Sequence, residues 1–246
     1  VRSSGVVGVD EKYVLVPKND KPAEKMKRWM YVYLAVDVYT YDLLHIAIYA
    51  HNDKESALAF LLALRAKGYQ PRVVVTDLRR DYGADIGRVF PRASHHECIF
   101  HALQDVGRTC RKLYGRDYAQ TRPEVEVLRQ DIAQIFQAKT KRTAQKRYDQ
   151  VLALREQFVR DKPEAAAIFD FLERHWPQLV NAIESRLIPK TNNAVEMVIR
   201  RFDQHYQNFC GFENIETTQL YLAVFEKLYR FTPFSDDEIG RAVQQE

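Results

Sequence analysis

The 246-residue chain is 46% hydrophobic and carries 37 Lys and Arg against 33 Asp and Glu, a formal net charge of +4. That apolar content excludes a disordered chain, and the length suffices for one large domain or a domain with an insertion. The mild basic excess permits a nucleic-acid partner without establishing one.

Val6 to Val16 reads as a strand rich in β-branched residues with Asp10 near its middle, followed by a polar loop from Pro17 to Lys27. Trp29 to Asp37 and Leu43 to Ala50 are apolar runs of strand length separated by a short polar turn, so three antiparallel strands are expected. Asp53 is placed to cap a helix through Lys67, whose Ala57, Leu58, Leu61, Leu62 and Leu64 supply an apolar face and which Gly68 stops. A short buried strand, Arg72 to Thr76, then delivers Asp77 at its C-terminal end. Three strands, a helix and a fourth strand tipped by a carboxylate is the layout of an RNase H-like α/β core.

Beyond that point Asp81 to Arg88 suggests a short helix, Ala93 to Glu97 a fifth strand, and Ile99 to Tyr114 another helix. Val125, Leu128, Ile132, Ile135 and Phe136 recur at helical spacing, and Pro163 and Pro177 punctuate the stretches that follow, so this block reads as all-helical. A core helix resumes near Asn192, and helices from about Ile215 to Tyr229 and Asp236 to Gln244 close the chain. The expected organisation is a first part of the core over residues 1–117, an all-helical insertion over 118–188, and the rest of the core over 189–246. A mixed five-stranded sheet flanked by helices results, with the insertion placed before Glu196.

Asp10, Asp77 and Glu196 are the candidate site acids. Two hard cations about 3.5 to 4 Å apart can activate an attacking oxygen and stabilise a leaving one, and they need convergent carboxylates to offset their charge. Gly8 shares the strand face of Asp10 and leaves room beside it, and burying a carboxylate unpaired in an apolar strand costs several kcal/mol, roughly. Asp77 ends a buried strand, where ligand sites of open α/β sheets gather. Val195, Val198, Ile199 and Phe202 mark a buried helical stripe, and Glu196 borders it. Each acid also has a plainer reading: an edge-strand acid for Asp10, a cap for Asp77, and an ion pair with Arg200 for Glu196. Asp37 at the end of the second strand is the alternative first acid, and Asp81 is a further neighbour of Asp77.

Lys139, Lys141, Arg142, Lys146 and Arg147 form one run of cations without an acid, and Arg108, Arg111 and Lys112 another. Either suits a phosphate backbone or a solvated helix face. Cys98, Cys110 and Cys210 are too few and scattered for a disulfide framework, which fits a reducing, cytoplasmic setting. The longest apolar stretch is broken by Asp37, Asp42 and His45, so no membrane span is expected. The chain begins at Val1 rather than Met, from which we expect a fragment or a processed chain with an end-recognition module upstream.

With these residues in view, the chain resembles the DDE transposases of bacterial insertion sequences, with features also seen in the Mutator-like group. The resemblance is carried by Val9-Asp10-Glu11-Lys12-Tyr13-Val14, Tyr33-Leu34-Ala35-Val36-Asp37, Asn52-Asp53-Lys54-Glu55-Ser56-Ala57 and Val75-Thr76-Asp77, in that order. Thr191-Asn192-Asn193-Ala194-Val195-Glu196 followed by Arg200-Arg201 resembles the helix of the third carboxylate, and Phe209-Cys210-Gly211-Phe212 the segment after it. The resemblance implies that Asp10, Asp77 and Glu196 bind two Mg2+ ions, with Mn2+ as a substitute. Water activated by these metals would hydrolyse a phosphodiester at the transposon end, and the freed 3′-hydroxyl would attack target DNA. It further implies double-stranded DNA as partner, both transposon ends and target, a homo-oligomer such as a dimer, and a place at the bacterial nucleoid.

Cys98-Ile99-Phe100-His101 is similar to a Cys-x-x-His of Mutator-like enzymes. At i and i+3 on a helix the two side chains share a face, which suits a structural or DNA-proximal role better than zinc, since no second pair stands at a recognised spacing. Asn192 and Asn193 suit capping of the Glu196 helix or a phosphate contact, and Trp176 suits helix core better than base stacking. A domesticated DNA-binding protein without catalysis, and an RNase H-like nuclease or resolvase that cuts without joining, are the other functions compatible with the sequence.

Overall fold

The structure is a computed structural model that describes residues 3–16, 29–78 and 82–232. Its strands are β1 (Val6–Leu15), β2 (Trp29–Asp37), β3 (Leu43–Tyr49), β4 (Val73–Thr76) and β5 (Ser94–Glu97). They form one sheet in the order β3-β2-β1-β4-β5. β1 with β4 and β4 with β5 are parallel, β2 with β3 antiparallel, so the sheet is mixed and the fold α/β, as expected. By compactness the chain divides into two units. The first is Val1–Ser4, Val9–Tyr69 and Ala194–Glu246, and the second Gly5–Gly8 and Gln70–Asn193.

In the first unit, β2 faces β3 from Tyr31 opposite Tyr49 to Val36 opposite Leu43, with a register shift between Ala35 and Val36. The helix α1 (Lys54–Ala66) starts where expected because the Asp53 carboxylate accepts the Ser56 N–H at 2.9 Å. It stops at Gly68, whose φ of +91° only glycine adopts without cost, and whose N–H reaches the Arg65 carbonyl at 2.9 Å. Phe60 of α1 stacks on His45 of β3 at 4.9 Å. Two later helices, Asn193–Tyr206 and Ile215–Phe231, share a cluster of Phe202, Tyr206, Phe212, Tyr221 and Phe225. A capping box of Asn214 and Thr217 starts the second of them. The closing helix expected over Asp236 to Gln244, the loop expected over Pro17 to Lys27, and Asp81 all lie outside the described residues.

In the second unit, the Gly5 carbonyl accepts the N–H groups of Arg72 and Val73 at 2.7 and 3.1 Å, which starts the pairing of Val6, Val7 and Gly8 with Val73, Val74 and Val75. Gly5 has a φ of +82°, and a Cβ there would meet Arg72 Nε at 3.0 Å. Then come α2 (Tyr82–Val89), α3 (Ile99–Tyr114), α4 (Tyr118–Thr121), α5 (Pro123–Phe136), α6 (Lys141–Ala153), α7 (Arg155–Asp161) and α8 (Ala166–Leu179), followed in the first unit by the helices named above, α9 (Asn193–Tyr206) and α10 (Ile215–Phe231). One apolar core joins Ile99, Val106 and Cys110 of α3 to Leu128 and Ile132 of α5 and Phe169 and Leu172 of α8. Pro163 opens a 3-10 turn, but Pro177 lies inside α8 instead of ending it. It falls in the last turn, where the missing N–H removes only one helical hydrogen bond.

Trp176 is packed against this core, stacked on Tyr148 at 4.3 Å with its indole N–H on Gln145 Oε1 at 3.2 Å. Among the described residues no helix is long and apolar enough to cross a membrane.

Burial holds the imidazoles of His45, His95 and His96 at about 4, below their ordinary 6.5, helped by Lys67 beside His45 and by His96 and His175 beside His95. These are bases whose folded pKa lies below the unfolded one, so the unfolded chain takes up protons first. Stability is therefore complete above about pH 6.5 and falls as the pH drops toward 4, by roughly 1.4 kcal/mol per pH unit for each histidine. Urea unfolding at pH 7.5 and pH 5 should show a clearly lower midpoint at pH 5.

Candidate active site

Asp10 is half-buried on β1, and its Oδ1 accepts the backbone N–H of Glu11 at 2.8 Å. Each of these two residues brings a carboxylate oxygen within 4.8 Å of the other's. Ionised carboxylates that close repel each other, and a bound cation relieves the repulsion. The donor set is all hard oxygen, which fits magnesium or manganese better than zinc. Glu11 is absent from the acids singled out in the sequence. The adjacent Asp10-Glu11 pair directly after the apolar run Val6 to Val9 was the available signal.

Asp77 directly follows β4 and is half-buried. A relay fixes the backbone there: His95 Nε2 lies 2.8 Å from Thr76 Oγ1, and that hydroxyl donates to the Asp77 carbonyl at 2.7 Å. Thr76 has one proton to give, so His95 donates from Nε2, and its buried Nδ1, which has no hydrogen-bond partner, is the unprotonated nitrogen of a neutral ring. The depressed pKa of His95 agrees with that neutral form.

Glu196 is half-buried in the first turn of α9, next to fully buried Val195. Two contacts tie α9 to β1: Lys12 Nζ pairs with Asp203 Oδ2 at 2.8 Å, and the Tyr206 hydroxyl accepts the Leu15 N–H at 2.7 Å. Glu196 does not join Asp10 and Glu11 within 4.8 Å. Asn192, fully buried, and Asn193, half-buried, stand at the start of this helix.

Asp37, the alternative first acid, is committed to the backbone. It is fully buried, and its carboxylate accepts from the Ser3 hydroxyl, the Ser4 hydroxyl and N–H, and the N–H groups of Tyr39 and Thr40, at 2.6 to 3.1 Å. Burial opposes its charge, but the donors from Thr40, Ser4 and Ser3 outweigh burial and hold its pKa below the ordinary carboxylate value.

The basic candidates divide by exposure. Lys139, Lys141, Arg142 and Lys146 are exposed on α6 and the turn before it, while the half-buried Arg147 spends a guanidinium N–H on the Gln134 carbonyl. On α3, Arg108 is exposed but paired with Asp105, and Arg111 and Lys112 are exposed. Arg200 is exposed, and Arg201 lies over the Tyr229 ring at 5.8 Å. Cys98 is fully buried at the start of α3 and His101 half-buried one turn on; among the described residues neither belongs to a group of three ligating side chains within 4.8 Å.

A mixed sheet carrying a close pair of strand-borne carboxylates, with exposed cations elsewhere, is the setting in which the family comparison falls. The family model described as Transposase, Mutator family, matches residues 6–230, from the first residue of β1 to the last turn of α10. The chain belongs to the Mutator family of transposases, and is thus a DNA-binding enzyme that cuts and transfers DNA. No curated protein is significantly similar to it.

Because Asp37 holds a turn together, Asp37→Ala should lower stability by roughly 2–3 kcal/mol, the cost of leaving buried donors unsatisfied. Chemical denaturation measures that decrease, and divalent-ion affinity of the folded variant should match that of the parent chain.

Proposed function

We propose that this transposase hydrolyses a phosphodiester at the transposon end and transfers the freed 3′-hydroxyl into target DNA, with Asp10, Asp77 and Glu196 as the carboxylates that hold two magnesium ions on an RNase H-like core. The observation that carries this reading is a register. Gly8 of β1 pairs with Val75 of the parallel strand β4, and an aspartate stands two residues after each, Asp10 within β1 and Asp77 directly after β4. Membership of a transposase family supplies the DNA chemistry to which such a pair of acids would be put.

The direction of α9 supports the third acid. From Asp203 to Tyr206 the helix advances in the same sense as β1 from Lys12 to Leu15. Glu196 lies two helical turns, about 10.5 Å, before Asp203 and on the same helix face. An equal step back along β1 from Lys12 is about three residues, which reaches the level of Val9 and Asp10. Lys12 and Asp10 share a strand face, so Glu196 is directed toward the face that carries Asp10. Ligands of two different ions spaced about 4 Å apart can themselves stand up to about 8 Å apart, so Glu196 need not touch Asp10 to serve the same site.

When bound, the ions would supply charge to activate the attacking oxygen and stabilise the leaving one. The protein's part is to fix the carboxylates and place the DNA. Lys139, Lys141, Arg142, Lys146 and Arg147 on α6 and the turn before it, Arg108, Arg111 and Lys112 on α3, and Arg200 and Arg201 on α9 are assigned to phosphates. Cys98, His101, Asn192 and Asn193 support the elements near the acids or the DNA. Paired ends call for paired active sites, so the working form is taken as a homodimer or larger assembly.

Asp10→Asn, Asp77→Asn and Glu196→Gln should each abolish magnesium-dependent cleavage and joining of an end-DNA substrate while leaving its binding largely intact. Strand transfer retained by any one purified variant removes that residue from the site. Cleavage without any joined product by the parent chain would instead favour a nuclease.

Substituting Lys141, Arg142 and Lys146 together by Ala should weaken DNA binding and flatten its dependence on salt, by up to about 0.9 in the log–log slope for each phosphate no longer neutralised. Fluorescence anisotropy across a salt series reads both.

A further inference from the structure

Tyr33, Asn52 and Glu11 form a hydrogen-bonded relay that ends beside Asp10. The hydroxyl of Tyr33, a fully buried residue of β2, donates to Asn52 Oδ1 at 2.7 Å. Asn52, just ahead of α1, donates through Nδ2 to Glu11 Oε1 at 2.9 Å. The orientation of the amide follows from its neighbours. An ionised carboxylate only accepts, so Nδ2 faces Glu11, Oδ1 is left for Tyr33, and the tyrosine must be the donor. The start of the relay is held rigidly, since the Tyr33 ring packs against Tyr49 at 5.3 Å and Phe60 at 5.4 Å. Asn52 is also fixed through its backbone, because the next residue, Asp53, is the cap of α1.

We propose that Glu11 is a further cation-holding carboxylate beside Asp10, and that Asn52, itself held by Tyr33, is its positioning residue. The proposal rests on the reading of Asp10 as a ligand of divalent ions. Two features of the relay suit that role. An amide N–H fixes one carboxylate oxygen without supplying a countercharge, as a lysine or arginine in the same place would, so it orients the group without competing with a cation. Ligating carboxylates are themselves hydrogen-bonded in this manner in metal sites, and removal of such a partner lowers metal affinity. The distance between the carboxylate oxygens of Glu11 and Asp10, within 4.8 Å, is also short enough for one ion to hold both.

The test measures Mn2+ binding to the DNA-free protein by electron paramagnetic resonance of the free ion, together with cleavage of end DNA as magnesium is raised. Asn52→Ala is expected to weaken Mn2+ binding by about 10- to 100-fold. The magnesium needed for half-maximal cleavage should rise by a similar factor, with the rate recovering at saturation. Glu11→Gln should weaken Mn2+ binding at least as much. Tyr33→Phe, which removes one hydroxyl from a packed ring, should shift binding in the same direction by less, and it keeps the test open if Asn52→Ala fails to fold.

Parent-like Mn2+ affinity in Asn52→Ala, Tyr33→Phe and Glu11→Gln, with binding abolished in Asp10→Asn, would overturn the relay and spare the Asp10 reading. Parent-like affinity in Asp10→Asn would overturn that reading and the relay with it.

Discussion

Val6, Val7 and Gly8 of β1 run parallel to Val73, Val74 and Val75 of β4, and this short pairing constrains most of what lies around it. Every one of these residues is buried, so the two strands can turn polar only where their pairing has ended. Charged groups are not tolerated within such a doubly covered stretch without a partner. The chain therefore places its aspartates immediately past the apolar run on both strands. Parallel pairing also demands a long crossover between β1 and β4, and the antiparallel pair of β2 and β3 followed by α1 occupies it.

Most elements were legible because their signals are local. Apolar runs of strand length marked β2 and β3, an Asp cap and a glycine stop bracketed α1, and three consecutive valines announced β4, which is buried throughout. The helical character of the block after α3 was legible from its periodicity, but its joints were not. The break between α6 and α7 falls at Leu154 without a glycine or proline to mark it, and α8 runs through Pro177. Helix ends of this kind are set by packing against neighbouring helices, and packing is a property of the folded chain.

Around the acids, residue type was easier to recognise than partnership. Asp37 and Asp10 look alike in the sequence, each a carboxylate in an apolar strand. What separates them is a serine pair more than thirty positions away from Asp37, which turns that acid into a fastening for the β2–β3 turn. Glu11 went unremarked beside Asp10, since strand alternation describes where a side chain leaves the backbone and not where its far end arrives. A glutamate has enough length to return toward its neighbour, and Asn52 supplies a reason for it to do so. No pattern within either strand encodes that contact, since β1 and the start of α1 are brought together only by the fold.

The helix α9 is held along its whole length. Asp203 and Tyr206 bind its last turn to β1, the Phe212 N–H holds the following turn on the Leu15 carbonyl at 2.8 Å, and Phe202 and Tyr206 lock into the aromatic cluster, while Ala194, Val195 and Val198 are buried around the half-buried Glu196 toward the other end. A helix seated at both ends transmits a displacement as a rigid rod. A pivot of about 5° at Asp203 would carry Glu196 by about 1 Å over the two intervening turns. Ring packing far along the helix thereby shares in setting where that carboxylate stands.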